Sequence, residues 1–176
     1  MALDLFVSHL AGAWPLLFAA ADTLYRFFGQ SGGVLSLGLA GLGSAIGIGL
    51  AGQAAAGAWA KEARAGKNLS FTYIILVGMP ISQTLYAMIV MNQLGTIFQS
   101  PGIAGSDSGL LMGVGLSTGL AEMFSAWMQG LVGAAGIRAL SDGEGKGLAF
   151  IIIAMGIVET VGIFAMVFLF IMIPTA

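Results

Sequence analysis

Residues 150–173, FIIIAMGIVETVGIFAMVFLFIMI, form a nearly unbroken apolar run with one carboxylic acid, Glu159, near its middle. An α-helix rises about 1.5 Å per residue, so about 20 residues cross a hydrocarbon layer ~30 Å thick. The run is long enough to span a bilayer as a helix, and that places Glu159 close to the midplane. A charged acid at that depth costs roughly 2.5–3.5 kcal/mol even on the lenient insertion scale, so such residues usually mark a path for ions or protons. The bland alternative is an acid that snorkels or is neutralised by chance. A functional acid accounts better for its place.

The rest of the chain fits a membrane setting. Of its 176 residues 58% are hydrophobic and only 8% charged, with a mean hydropathy of +0.98. That is too little charge to cover a water-soluble globule. There is no cysteine, which excludes disulfide and thiolate chemistry. Five of the six basic residues (Lys61, Arg64, Lys67, Arg138 and Lys146) fall in two segments, 61–67 and 138–146. The positive-inside rule puts both in the cytoplasm, and the base-free loop over 99–108 on the other side.

Four spanning segments are expected, over about 33–59, 70–95, 109–137 and 147–173. The first and third are crowded with small residues, including Gly43-xxx-Gly47, Gly109-xxx-Gly113 and Gly115-xxx-Gly119; the second and fourth are rich in Ile, Met, Phe and Leu. Small-xxx-small faces let helix backbones approach closely in lipid. Thin and bulky helices in alternation suit two concentric layers with the thin ones inside. Glycine costs about 1 kcal/mol in a helix relative to alanine, so its concentration in alternate segments needs a packing reason.

The alternation is an internal repeat. A shift of 76 residues lays Gly33 on Gly109, Gly43 on Gly119, Gln53 on Gln129, Gly57 on Gly133 and Thr84 on Thr160. The same shift lays Gln83 on Glu159. Both halves cross in the same sense, so they are parallel copies of one hairpin, unlike the inverted repeats of many transporters. One copy holds the acid and the other its uncharged isostere. The expected fold is therefore all-α: two tandem helical hairpins, 33–100 and 109–173, the second carrying the acid, preceded by an accessory helical segment over 1–32. That first segment is apolar but interrupted by Ser8, His9 and Pro15, and Asp22 and Arg26 stand one turn apart in it. It is expected to lie in or against the outer interface.

A buried acid needs polar partners. The second span supplies Ser82, Gln83 and Tyr86 beside Pro80, which lacks a backbone N–H and frees carbonyls around it. The third supplies Gln129, with Ser125 one turn away. A carboxylate, two amide oxygens, a hydroxyl and a carbonyl are hard donors, which suit alkali and alkaline-earth cations. The competing use of the amides is as glue between helices. Glu122 is a second intramembrane acid, seven residues before Gln129 and so on roughly the same helix face. It reads either as a protonated acid facing inward or as a further ligand.

At these residues the chain resembles the duplicated-hairpin proteolipid, the K or c subunit, of V-type rotary ATPases, and most resembles the sodium-transporting members. The likeness is carried by PISQTLY at 80–86, MQGLVGAAGI at 128–137 and IVET at 157–160, and covers about residues 33–173. It implies that Glu159 carries the ion and that Gln83, Gln129 and the Ser82 hydroxyl are further ligands. It also implies that the Met79 carbonyl completes the shell and that Tyr86 hydrogen-bonds Glu159. Ser82 stands where the sodium members have threonine; the N-terminal extension has no counterpart in the family pattern, and Glu122 departs from it as a second intramembrane acid, opposite Ile46 in the repeat.

The resemblance further implies a homo-oligomeric ring in lipid, turning against a stator membrane subunit and joined to central-stalk subunits, with no nucleic acid. The setting would be a bacterial or archaeal plasma membrane. The transported ion would be Na⁺ or H⁺, with no organic cofactor. No GxxxxGK[ST] occurs in the sequence, so a non-catalytic part is expected, with ATP chemistry on other subunits. The competing class is a self-contained channel or secondary carrier built from four helices. The parallel repeat and the lack of a second strong charge pair count against it.

Overall fold

A computed structural model describes residues 2–99 and 107–173. Every regular element among them is helical. Helix α1 runs from Ala2 to Arg64. Helix α2, Thr72–Gly78, passes through a 3₁₀ turn at Met79–Ile81 into α3, Ser82–Gln99. Helices α4, Ser108–Asp142, and α5, Leu148–Ile171, make the second hairpin. Among the described residues four helical stretches are long and apolar enough to cross a membrane, α2 and α3 counting as one. The 99–108 loop falls almost wholly outside the described residues, and so does the expectation about which side it faces.

The N-terminal segment is not a separate helix: α1 continues without a break from it into the first span. At 1.5 Å per residue α1 is about 95 Å long, some three hydrocarbon thicknesses. Four polar residues along this part of α1, Asp22, Thr23, Arg26 and Ser31, find partners within the helix. Thr23 and Ser31 donate to the carbonyls of Ala19 and Phe27 one turn back, and Arg26 pairs with Asp22 at 2.7 Å.

Helices α1 and α4, the glycine-rich pair, share the longest interface in the molecule. Their backbones touch. A Cβ on Gly130 would collide with the backbone of Gly47, and one on Gly115 with that of Gly32. Only glycine permits this approach, and it recovers in dispersion contacts what lipid withholds as hydrophobic drive. Gly115 and Gly119 both face α1, but Gly109 and Gly113 have open space beside them within the chain. One of the two small-residue motifs of α4 therefore serves this interface and the other does not.

The bulky helices lie outside the thin pair. On α5 only Met155 and Gly162 are buried, while Phe150, Ile153, Ile157, Val161, Phe164, Phe168 and Ile171 form an exposed stripe at helical spacing. Such a stripe in a span of this hydropathy is a lipid face. Two apolar clusters close the ends of the bundle. Ala51, Ala55, Tyr73, Leu76, Ile137, Leu140 and Met155 pack near the basic loops, and Val90, Leu94, Leu111, Val114 and Ile173 at the far end.

At the basic end, Gly66 (φ +68°) ends α1 in the left-handed conformation, and Lys67 N–H reaches back to the Glu62 carbonyl at 2.9 Å. Lys61 pairs with Asp142, and Lys67 with Glu144 at 3.0 Å, so the two basic loops lie side by side. All four side chains are exposed, so the pairs contribute little stability. The Glu62 carboxylate is buried and accepts from the Ser70 N–H (2.9 Å) and the Tyr73 hydroxyl.

Candidate functional site

The site forms where α3, α4 and α5 meet, one turn beyond the 3₁₀ segment. Pro80 cannot donate to the carbonyl four residues earlier, and the chain tightens into a 3₁₀ turn at that point. The tightening turns the Met79 carbonyl toward Ser82, whose backbone N–H and hydroxyl both donate to it, the hydroxyl at 3.1 Å. Pro80 is buried against α1 where Gly47 leaves room for it.

From that turn the polar groups run in a chain across three helices. The Ser82 hydroxyl also lies 3.1 Å from Gln83 Oε1. Gln83 Nε2 donates to Gln129 Oε1 and to Ser125 Oγ, each at 3.2 Å. Gln129 Nε2 donates to Glu159 Oε2 at 3.3 Å and to the Met155 carbonyl at 3.2 Å. The Tyr86 hydroxyl donates to the other oxygen, Glu159 Oε1, at 2.8 Å. The structure thus gathers Met79, Ser82, Gln83, Tyr86, Gln129 and Glu159 into one connected network.

Gln83 and Gln129 are fully buried, whereas Glu159 and Tyr86 are half-buried beside the α5 lipid stripe. The carboxylate therefore sits at the protein's edge with two donors on its inner side. With it the network holds five groups bearing hard oxygens: the Met79 carbonyl, the Ser82 hydroxyl, the two amides and the carboxylate itself. Amide and hydroxyl oxygens can replace the water around a small cation without adding charge, so one bound monovalent ion would leave the site neutral. Among the described residues no three His, Cys, Asp or Glu side chains gather.

The repeat does not produce a second copy of this site. Gln53, the counterpart of Gln129, is exposed, and Gln83, the counterpart of Glu159, is spent as a ligand-type group beside Gln129. Some participants carry no sequence signal. The Met155 carbonyl holds the Gln129 amide, and the Val158 carbonyl accepts the Ser125 hydroxyl at 3.1 Å. A carbonyl is present at every position, so only the fold can nominate it. Ser44 and Thr84 join α1 to α3 through a 2.7 Å hydrogen bond; Thr84 lies within PISQTLY, but Ser44 belongs to no motif.

Glu122 lies on α4 but outside this network. Its side chain is fully buried, with a carboxylate oxygen close against Gly162 of α5.

Comparison with known proteins bears on both hairpins. The family of the ATP synthase C subunit matches twice, over residues 31–93 and 112–172. A-type ATP synthase subunit K of Methanocaldococcus jannaschii is 32% identical over 125 residues, which make up 69% of this chain and 52% of that protein. The chain spans about half the length of this curated relative.

Proposed function

The chain belongs to the family of the ATP synthase C subunit, and we propose that it is a rotor-ring proteolipid of a V- or A-type rotary ATPase that carries Na⁺ on Glu159. The observation that carries this proposal is the meeting of Glu159 with Gln129, Gln83, Ser82 and Met79 in one hydrogen-bonded network at the edge of a lipid-facing helix. A proton carrier needs an acid and little else. Two buried amides, a hydroxyl and a bent-back carbonyl around a single carboxylate are what a dehydrated sodium ion needs.

In the cycle this implies, copies of the chain form a ring through which α5 presents Glu159 outward to a stator membrane subunit. There the ion is exchanged with water on one side. The loaded, neutral site then crosses the lipid-facing arc. Moving one charge through 100 mV is worth about 2.3 kcal/mol, so several ions are gathered for each ATP. One carrier acid in two hairpins lowers the ions moved per turn, which favours pumping by hydrolysis over synthesis. The chain itself is non-catalytic, and torque passes through central-stalk subunits docked on the basic loops at the cytoplasmic side.

The test is carbodiimide labelling of Glu159 in the purified oligomer, with and without sodium. Sodium that protects the acid at fixed pH supports the proposal. Labelling of Glu159 unaffected by sodium would make H⁺ the coupling ion. Native mass of the detergent complex separates the rotor from a self-contained channel or carrier: a large homo-oligomer supports the first, a monomer or dimer the second.

A further inference from the structure

Among the described residues four buried side-chain oxygens lack a hydrogen-bond partner, and three of them stand together: Thr118 Oγ1, Glu122 Oε1 and Glu122 Oε2. The fourth, on Ser141, lies at the far end of the same helix. Thr118 and Glu122 are one turn apart on α4, and Ser125 follows three residues later, so all three share a face. Both Thr118 and Glu122 are fully buried within a single copy of the chain. A neighbouring protomer or a lipid therefore cannot reach these oxygens, and whatever satisfies them must be small enough to sit inside the protein. A carboxyl with both oxygens unpartnered in hydrocarbon is one of the costliest arrangements a fold can contain.

The place is shaped for such an occupant. Gly162 of α5 faces it: a Cβ there would stand 2.5 Å from Glu122 Oε2 and 3.1 Å from Ser125 Oγ. The two oxygens thus converge over a position kept bare by glycine. Toward the end away from the basic loops the seam is closed by Leu111, Val114, Val90 and Leu94. Toward the other end it continues through Ser125, which accepts from Gln83, into the network around Glu159. Between Arg26 and Lys61, α1 brings no titratable or charged group to α4. Glu159 of α5 and Tyr86 of α3 are the neighbours of that kind, and both are already engaged with each other.

We infer that Glu122, Thr118 and Ser125 form a second cation site, an annex to the first, that holds one monovalent metal ion of the class carried by Glu159. Glu122 supplies the single compensating charge, and the two hydroxyls supply neutral hard oxygens, a donor set that suits an alkali cation. One ion against one carboxylate leaves the annex neutral, as the main site is when loaded. The annex presupposes that the coupling ion is sodium.

The experiment counts ²²Na⁺ bound per chain by equilibrium dialysis of the detergent-purified oligomer, in wild type, Glu122→Gln and Glu159→Gln. The expected result is two ions per chain in wild type and one in each variant. One ion per chain in wild type, kept in Glu122→Gln and lost in Glu159→Gln, overturns the annex alone and leaves Glu122 a protonated acid. No bound sodium in wild type overturns the annex and the sodium assignment together. Thr118→Val keeps the charge and removes one neutral oxygen, so it stands in if Glu122→Gln fails to assemble. It should weaken one of the two ions about tenfold and leave the other unchanged; an unchanged count and affinity in Thr118→Val overturns the annex.

Discussion

Gln83 and Gln129 come from different hairpins, lie 46 positions apart in sequence, and meet in a 3.2 Å hydrogen bond with both side chains fully buried. The bond uses Gln83 Nε2 and Gln129 Oε1, which leaves Gln83 Oε1 to the Ser82 hydroxyl and Gln129 Nε2 to Glu159. The two amides thereby relay position from the 3₁₀ turn at Pro80 to the carboxylate. Neither hairpin could make the site alone. The duplicated chain does so by using α3 of one copy with α4 and α5 of the other.

Changing Gln129 to Leu removes an oxygen ligand and the donor that holds Glu159 Oε2. It also leaves Gln83 Nε2 with Ser125 alone. A buried polar group left without its partner costs roughly 1–3 kcal/mol, so sodium affinity should fall by a factor of about ten or more. The concentration of sodium that half-protects Glu159 from carbodiimide measures this, and native mass verifies that the ring still assembles. Equal protection in wild type and variant would reduce the amides to helix glue.

Tyr86→Phe takes away the 2.8 Å donor on Glu159 Oε1 and changes no oxygen ligand of the ion. A hydrogen bond to a charged group contributes about 1.5–3 kcal/mol. The carboxylate should therefore be held less firmly toward the amides, and half-protection should need about tenfold more sodium. If Tyr86→Phe matches wild type, the hydroxyl does not position the carboxylate.

How much of this was legible follows from the physics of each signal. Glu159, Gln83 and Gln129 are readable because an acid and two amides are rare in an apolar background, and the 76-residue shift lays Gln83 on Glu159. Pro80 announces the broken turn, although not that Met79 is the carbonyl it bends toward Ser82. Helix periodicity placed Glu122 on the face of Gln129 but could not say which neighbour it meets. That depends on α5 offering a glycine at 162, a residue as common in this chain as any. The continuity of α1 was hidden for a different reason: Pro15 looks like punctuation, yet the helix runs through it without a break.

The α1–α4 contact predicts a sharp dependence on residue size. Gly130→Leu would drive a side chain into the backbone of Gly47, which cannot rotate aside as a side chain can. Overpacking typically costs about 1–3 kcal/mol, and more where backbone must move. The variant should lower the thermal stability of the detergent complex and its yield as a ring. A melting curve and native mass unchanged from wild type would mean that α1 and α4 are not in backbone contact.

Topology offers the last prediction. Lys61 and Lys67 on one loop pair with Asp142 and Glu144 on the other, so the two basic loops must share one side of the membrane whichever side that is. By the positive-inside rule the excess of Lys and Arg predicts that this side is the cytoplasm. Gln30, which is exposed, precedes Ala63 on the same helix by 33 residues, about 50 Å at 1.5 Å per residue, more than the ~30 Å hydrocarbon core. With no cysteine in the natural chain, single Ala63→Cys and Gln30→Cys variants can be read without background. In intact cells a membrane-impermeant maleimide added outside should modify Gln30→Cys and spare Ala63→Cys, and in inverted vesicles the pattern should reverse. Modification of Ala63→Cys from outside would turn the chain over. It would then place the basic loops where no cytoplasmic stalk could dock.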